Sequence, residues 1–322
     1  MFFLGAYASE HESLIVMEYV QRGSLDEHLH DPALSISQAM RVRFMRDAAS
    51  GMAYLHNLSP PRIHRDLKSM NLLVTDNWVV KVADFTTAKK MLKGRSAQVP
   101  TRMAMPPASA SVLVEDTTTY GTLHWSAPEV LAGKPYTLAV DAYSFGIVMW
   151  EVLTREIPFS NIRFFGALRE AVVDKMLRPP LPQRFTDALD RFPNAGTRLL
   201  DGLDAADDDG DDGGVLVLEQ TTVRSTSTDG DASKAGSSDD GDRGEVEVDE
   251  VDAAYVRLLQ RCWRHDPHQR PAFVQIELQL QRMLDRIGAD GLDGGSGDTG
   301  DGVKGSVVGH QQLHSAVSQH RL

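Results

Sequence analysis

The chain of 322 residues has one cysteine, Cys262, which excludes an internal disulfide and any multi-cysteine metal cage. It also lacks an apolar run approaching the ~18 residues of a membrane-spanning helix. The longest, Phe145–Trp150 with its neighbours, is of core size. The N-terminal MFFLGAYAS ends in the small-residue pattern Ala6-Tyr7-Ala8, but no Lys or Arg precedes its short apolar stretch, so it does not read as a signal peptide. Excess positive charge is missing too. The 33 Lys and Arg face 45 Asp and Glu, a net −12, which argues against a nucleic-acid or anionic-membrane partner held by bulk charge. Together these absences lead us to expect a soluble, cytoplasmic chain with no nucleic-acid partner and no transmembrane segment.

The negative charge is not spread evenly. Asp201–Glu250 holds 17 acids against Arg224, Lys234 and Arg243, a net −14, so the other 272 residues sum to about +2. What is present elsewhere is core material: 42% of residues are hydrophobic, enough for one large core or two smaller ones. Residues 2–7 and 12–20 are compact apolar runs joined by a polar turn at Ser9–Glu12, which predicts a hairpin. Ser24 stands three residues before Glu27, a capping-box signature for a short helix. From Ser37 to His56, Met40, Phe44, Met45, Ala48, Met52 and Leu55 recur at helical steps and mark one buried stripe. Asn71–Val74 and Trp78–Val82 read as short strands around a turn at Asp76-Asn77. Asp141–Leu153 is apolar almost all round, the mark of a central buried helix.

The order of elements predicts an α+β fold, strands first and a mostly helical body after. Residues 1–20 form a small β part and 21–182 the first part of the body. Residues 183–250, rich in Asp, Gly, Ser and Thr, read as a disordered insertion. Helical signal returns over 251–287, and 288–322 reads as a disordered tail. The GxGxxG spacing of Gly295, Gly297 and Gly300 in that tail has no strand before it and no helix after it, so it carries no phosphate-binding reading. His310, His314 and His320 show no metal spacing.

The chemistry is concentrated in Ile63-His64-Arg65-Asp66-Leu67-Lys68-Ser69-Met70-Asn71-Leu72-Leu73-Val74, followed by Val82-Ala83-Asp84-Phe85. Phosphoryl transfer needs a cation fixed by hard oxygen ligands, a carboxylate at the incoming hydroxyl and positive charge for the transition state. Asn71 and Asp84 can supply metal ligands, Asp66 a base and Lys68 the positive charge.

This segment resembles the catalytic loop of eukaryotic protein kinases. The resemblance continues through Tyr120-Gly121-Thr122-Leu123-His124-Trp125-Ser126-Ala127-Pro128-Glu129, Asp141-Ala142-Tyr143-Ser144-Phe145-Gly146 and Cys262-Trp263-Arg264-His265-Asp266-Pro267-His268-Gln269-Arg270-Pro271. The last motif and His64–Asn71 are similar to the tyrosine-kinase-like group, whose members mostly phosphorylate Ser and Thr. The resemblance implies a mainly helical large lobe with a remnant small-lobe hairpin, ATP and Mg²⁺ as cofactors, and a protein Ser/Thr hydroxyl as acceptor. It implies that Asp66 accepts the acceptor's proton, that Lys68 and Thr122 line the same site, and that Asn71 and Asp84 hold Mg²⁺. It places the adenine edge on the Glu18 carbonyl and Val20 N–H, with Met17 as gatekeeper and Leu73 as the floor. Phe85 would stack on His64, Glu129 would pair with Arg270, and Asp141 would bond the backbone at His64 and Arg65.

The pattern is also broken in places. The family's Gly-rich loop, strand Lys and helix Glu do not occur, as though the chain began at the fourth strand of the small lobe; Lys81 reads as a bystander rather than a replacement. Thr86 stands where the family has Gly, and its β-branch is expected to hold the loop in one state. The 44 residues between Asp84 and Glu129 are long for the family, and Thr117, Thr118 and Thr119 are sites at which an upstream kinase could place a phosphate for Arg65. The rival readings are a non-catalytic pseudokinase or interaction module, favoured by the missing Lys, and a small-molecule phosphotransferase, disfavoured by Ala127-Pro128-Glu129.

Overall fold

Ser37, extended at φ −68° and ψ 161°, accepts a hydrogen bond from the Met40 amide and so starts the long helix that organises the body. A computed structural model of the chain describes residues 1–9, 12–90, 123–195 and 248–293. Thr122, Thr117–Thr119, residues 196–247 and residues 294–322 lie outside the described residues.

The chain opens with the expected hairpin, β1 (Phe3–Ala8) antiparallel to β2 (Ser13–Met17), with a register irregularity between Phe3 and Gly5. Ser24 caps α1 (Leu25–Leu29), but not with the reciprocal bond of a capping box. Its hydroxyl accepts from the Glu27 N–H at 3.3 Å and donates to Glu27 Oε1 at 3.1 Å. The Ser24 backbone is meanwhile engaged in an antiparallel bridge to Leu73. Gly23 adopts φ +73°, and a Cβ there would lie 2.5 Å from Glu27 Oε2.

Next come α2 (Gln38–His56) and three minimal strands, β3 (Arg62–Ile63), β4 (Leu72–Val74) and β5 (Val80–Val82); β4 and β5 pair antiparallel around the Asp76-Asn77 turn. A further strand, β6 (Lys89–Lys90), pairs with β3. Helices follow: α3 (Pro128–Leu131), α4 (Ala139–Thr154) and α5 (Phe165–Arg169), which runs on into a π-helical turn over Glu170–Asp174. Every residue of α4 from Val140 to Leu153 is buried, as its all-round apolar sequence predicts. It packs on α7 (Glu250–Cys262), while α2 packs on α8 (Phe273–Asp293), and the core runs between these pairs.

Two boundaries differ from expectation. The stretch from residue 183, expected as insertion, begins with helix α6 (Gln183–Arg191), whose Phe185 and Ala188 are buried at helical spacing against α7. Polar residues surround these two and mask the signal, yet Arg257 ties the end of α6 to α7 through the carbonyls of Leu189 at 2.9 Å and Phe192 at 3.0 Å. Likewise α8 continues past Ile287 to Asp293, into the residues expected as tail. No described helix is long and apolar enough to cross a membrane.

Candidate active site

The loop that carries Asp66, Lys68 and Asn71, expected to be catalytic, is held by one carboxylate. Asp141, buried in the first turn of α4, accepts from the His64 N–H at 2.8 Å, the Arg65 N–H at 2.9 Å and His56 Nε2 at 2.8 Å. These bonds brace a backbone in which Arg65 has φ 69°, a left-handed conformation that costs free energy in a non-glycine residue. His64 accepts at Nδ1 from the Asp66 N–H (3.3 Å), so Nε2 carries the hydrogen it donates to the Ala83 carbonyl at 2.9 Å. Its ring lies edge-on to Phe85 with centroids 5.4 Å apart, so the catalytic loop and the loop after β5 are tied together.

Asp66, Lys68 and Asn71 meet directly. Asn71 Nδ2 donates to the Asp66 carbonyl at 2.7 Å and to Asp66 Oδ2 at 2.9 Å, and Lys68 Nζ lies 3.2 Å from the same oxygen. Asp66 Oδ1 is buried without a hydrogen-bond partner among the described residues. The β4–β5 register sets Leu72 opposite Val82, and the Ala83 N–H donates to the Asn71 carbonyl at 2.9 Å, so Asp84 leaves the ladder beside Asn71. Asn71 commits its N–H₂ to Asp66, so its amide oxygen is the atom it could offer a cation. That oxygen and the Asp84 carboxylate are hard donors of the kind Mg²⁺ prefers.

The left-handed φ, 58°, falls on Asp84 and not on Thr86, so this conformation does not require glycine at 86. Thr86 instead bonds Asp84 Oδ1 through its hydroxyl at 2.6 Å and its N–H at 3.3 Å.

The segment expected to seat adenine is anchored to β4. The Arg22 N–H donates to the Val74 carbonyl at 3.1 Å and the Val74 N–H to the Gly23 carbonyl at 2.9 Å. Leu73 is half-buried on the face of β4 opposite the core-facing Leu72 and Val74. Val20 is buried, while the Met17 side chain is exposed. Lys81, opposite Leu73 and on the same face, reaches Glu18 Oε2 at 2.7 Å, and this ammonium holds the Glu18 carboxyl below its usual range. That pair spans 63 residues, so no local signal could have shown it.

Further from the centre, Arg270 grips Glu129 through two bonds, 2.6 and 2.9 Å, and also donates to the carbonyls of Arg264, His265 and Ala139. Asp26, His30 and Glu151 also bring ligand-type atoms within 4.8 Å of one another, but the Glu151 oxygens are taken by Ser69 at 2.8 Å and Trp125 at 3.1 Å.

The protein kinase domain family matches this chain over residues 2–279. A probable serine/threonine-protein kinase of Dictyostelium discoideum, drkC, is 32% identical over 284 residues, 87% of this chain and 26% of that protein. Another from the same organism, drkA, is 41% identical over 181 residues, 56% of this chain and 25% of that protein. A dual specificity protein kinase, shkC, is 39% identical over 190 residues, 59% of this chain and 34% of that protein. The chain thus spans about a quarter to a third of the length of these relatives. With the braced loop, the Asp66–Lys68–Asn71 contact and the Glu129–Arg270 pair in place, the chain belongs to the protein kinase domain family.

Proposed function

We propose that this chain carries the phosphoryl-transfer site of a serine/threonine protein kinase using ATP and Mg²⁺. The observation that supports this reading best is the state of Asp66: one oxygen held between Asn71 and Lys68, the other buried with no donor among the described residues. A buried acceptor left unpaired is costly, and an incoming Ser or Thr hydroxyl of a protein substrate supplies the missing hydrogen bond. Asp66 orients that hydroxyl and takes its proton as the oxygen attacks. Lys68, 3.2 Å from the other Asp66 oxygen, sets positive charge at the edge of the site, where negative charge develops on the transferred group. Asn71 and Asp84 would hold the cation. When bound, Mg²⁺ would neutralise charge on the transferred phosphoryl group.

For the nucleotide, the Glu18 carbonyl and Val20 N–H would read the adenine edge, with Met17 beside it and Leu73 beneath. Thr122 would line the acceptor side. A phosphate on Thr117, Thr118 or Thr119, placed by an upstream kinase, would compete for Arg65, which now donates to the Thr87 carbonyl at 2.6 Å and the Tyr136 hydroxyl at 3.4 Å.

Asp66→Asn tests the base. Phosphate transfer from Mg-ATP to a generic Ser/Thr protein should fall by about 10² to 10⁴, with nucleotide binding unchanged. Asp84→Asn should weaken Mg²⁺-dependent nucleotide binding as well. Wild-type rates in either variant would refute the assignment.

A further inference from the structure

We propose that Thr86 is a positioning residue that occupies one oxygen of Asp84 and leaves the other as the atom through which this carboxylate takes a divalent cation. The inference rests on the metal-binding reading of Asp84 above. Oδ1 of Asp84 receives two donors from the same residue, the Thr86 hydroxyl at 2.6 Å and the Thr86 N–H at 3.3 Å. A carboxylate oxygen has two in-plane lone pairs, and two donors engage both. A glycine would retain the N–H bond and lose the hydroxyl bond, which is the shorter of the two. Hydroxyl-to-carboxylate bonds are charge-assisted and among the stronger ones.

The surroundings keep this arrangement in place. Asp84 sits at φ 58°, a region that Asp tolerates because its short side chain bonds locally. On the next residue, Phe85 is held against the buried His64 ring. The carboxylate therefore has little freedom to present both oxygens together. Coordination through both requires the Thr86 hydroxyl to turn away, and that bond is then lost. Thr86 thus weakens cation binding at Asp84 and fixes which oxygen is offered.

The test uses the full chain and Mn²⁺ alone, followed by water-proton relaxation, with Asp84→Asn as the control for the site. Thr86→Val, which keeps the shape and removes the hydroxyl, should bind Mn²⁺ about fivefold more tightly than wild type. Thr86→Ser, which restores the donor, should match wild type. Thr86 is exposed, so these changes do not threaten the core; should the valine variant fail to fold, Thr86→Gly should show the same rise. If Asp84→Asn abolishes binding while Thr86→Val binds no tighter than wild type, the role of Thr86 is wrong and the metal site stands. That role is equally wrong if Thr86→Ser behaves like Thr86→Val. If wild type takes up no Mn²⁺, or Asp84→Asn binds as well as wild type, the metal reading fails and the proposal falls with it.

Discussion

The helical body and the β1–β2 hairpin handle apolar surface in opposite ways. In the body Trp150 and Trp263 are 2% and 1% exposed, and buried charges such as Glu129–Arg270 and Asp141 with its three donors are paired, whereas Trp263 Nε1 and the Tyr143 hydroxyl have no hydrogen-bond partner among the described residues. In the hairpin and just after it, Leu4 is 67%, Ile15 62% and Tyr19 81% exposed, and the side-chain tie from Glu18 across to β5, the Lys81–Glu18 pair, is partly exposed. A two-stranded ribbon with bare faces is marginal by itself. The body therefore supplies the stability and holds the loop of Asp66, Lys68 and Asn71, whereas the hairpin supplies the segment proposed to face adenine and little of the stability. The proposed nucleotide site lies at the seam, where β4 meets residues 18–23.

The contrast is broken most severely at Arg270. Its guanidinium is buried and paired with Glu129, and removing one member of a buried pair typically costs about 3–5 kcal/mol. Arg270→Ala should lower the denaturation midpoint by a corresponding amount, measured by urea unfolding. Lys81→Ala, the matching change at the hairpin seam, should shift the midpoint far less, because its pair is solvent-screened. Equal losses in the two variants would show that the hairpin is as much a part of the stable unit as the body.

The second effect is set by pH. Ser69 Oγ lies 2.8 Å from Glu151 Oε1 and 3.3 Å from Asp26 Oδ1, so one hydroxyl hydrogen serves two carboxyl groups. Burial pushes Glu151 up from about 4.5 to about 8. Between those values the folded chain keeps a proton that the unfolded chain releases. The contribution of Glu151 to stability is therefore full below about pH 4.5, falls as pH rises toward 8 and levels beyond it, by at most about 1.4 kcal/mol per unit. Melting of wild type and Glu151→Gln between about pH 5 and pH 8 checks this: the slope should flatten in the variant. An unchanged slope would place the titration elsewhere.

Much of the body was legible because its signals are local or periodic. The all-round apolar α4 announces a buried centre, and the stripe of α2 is read correctly from Phe44, Met45, Ala48, Met52 and Leu55. The meeting of Asp66, Lys68 and Asn71 was also visible, since six residues of one loop bring them together. Partners distant in sequence were not. Arg41 pairs with Asp252 and Gln38 with Asp249, each across 211 residues. Arg178 is buried over the Tyr143 ring with carbonyls as its hydrogen-bond acceptors, which contradicts any rule that places arginine outside. Helix α6 was missed because composition over a wide window outweighed Phe185 and Ala188. At Thr86 the sequence showed that a glycine was replaced, but the Asp84 bond needed coordinates.

The smallest effect concerns the acidic stretch. The described residues on either side of residues 201–245 are fixed by bonds that do not involve them. On one side Arg257 holds the carbonyls of Leu189 and Phe192. On the other, Asp249 caps α7 through the Asp252 N–H and accepts from Gln38 at 2.8 Å, and Arg41 pairs with Asp252. Deletion must therefore stop short of Val248, which packs against the core. Replacing residues 201–245 by a flexible Gly/Ser linker of about ten residues keeps both flanks. Shortening a loop recovers about 0.6 kcal/mol of closure entropy per halving of its length, so the melting temperature should hold or rise by a few degrees. A fall of more than about 5 °C in calorimetry would show that the removed residues pack on the body, and the stability now assigned to the helices would then be shared with them.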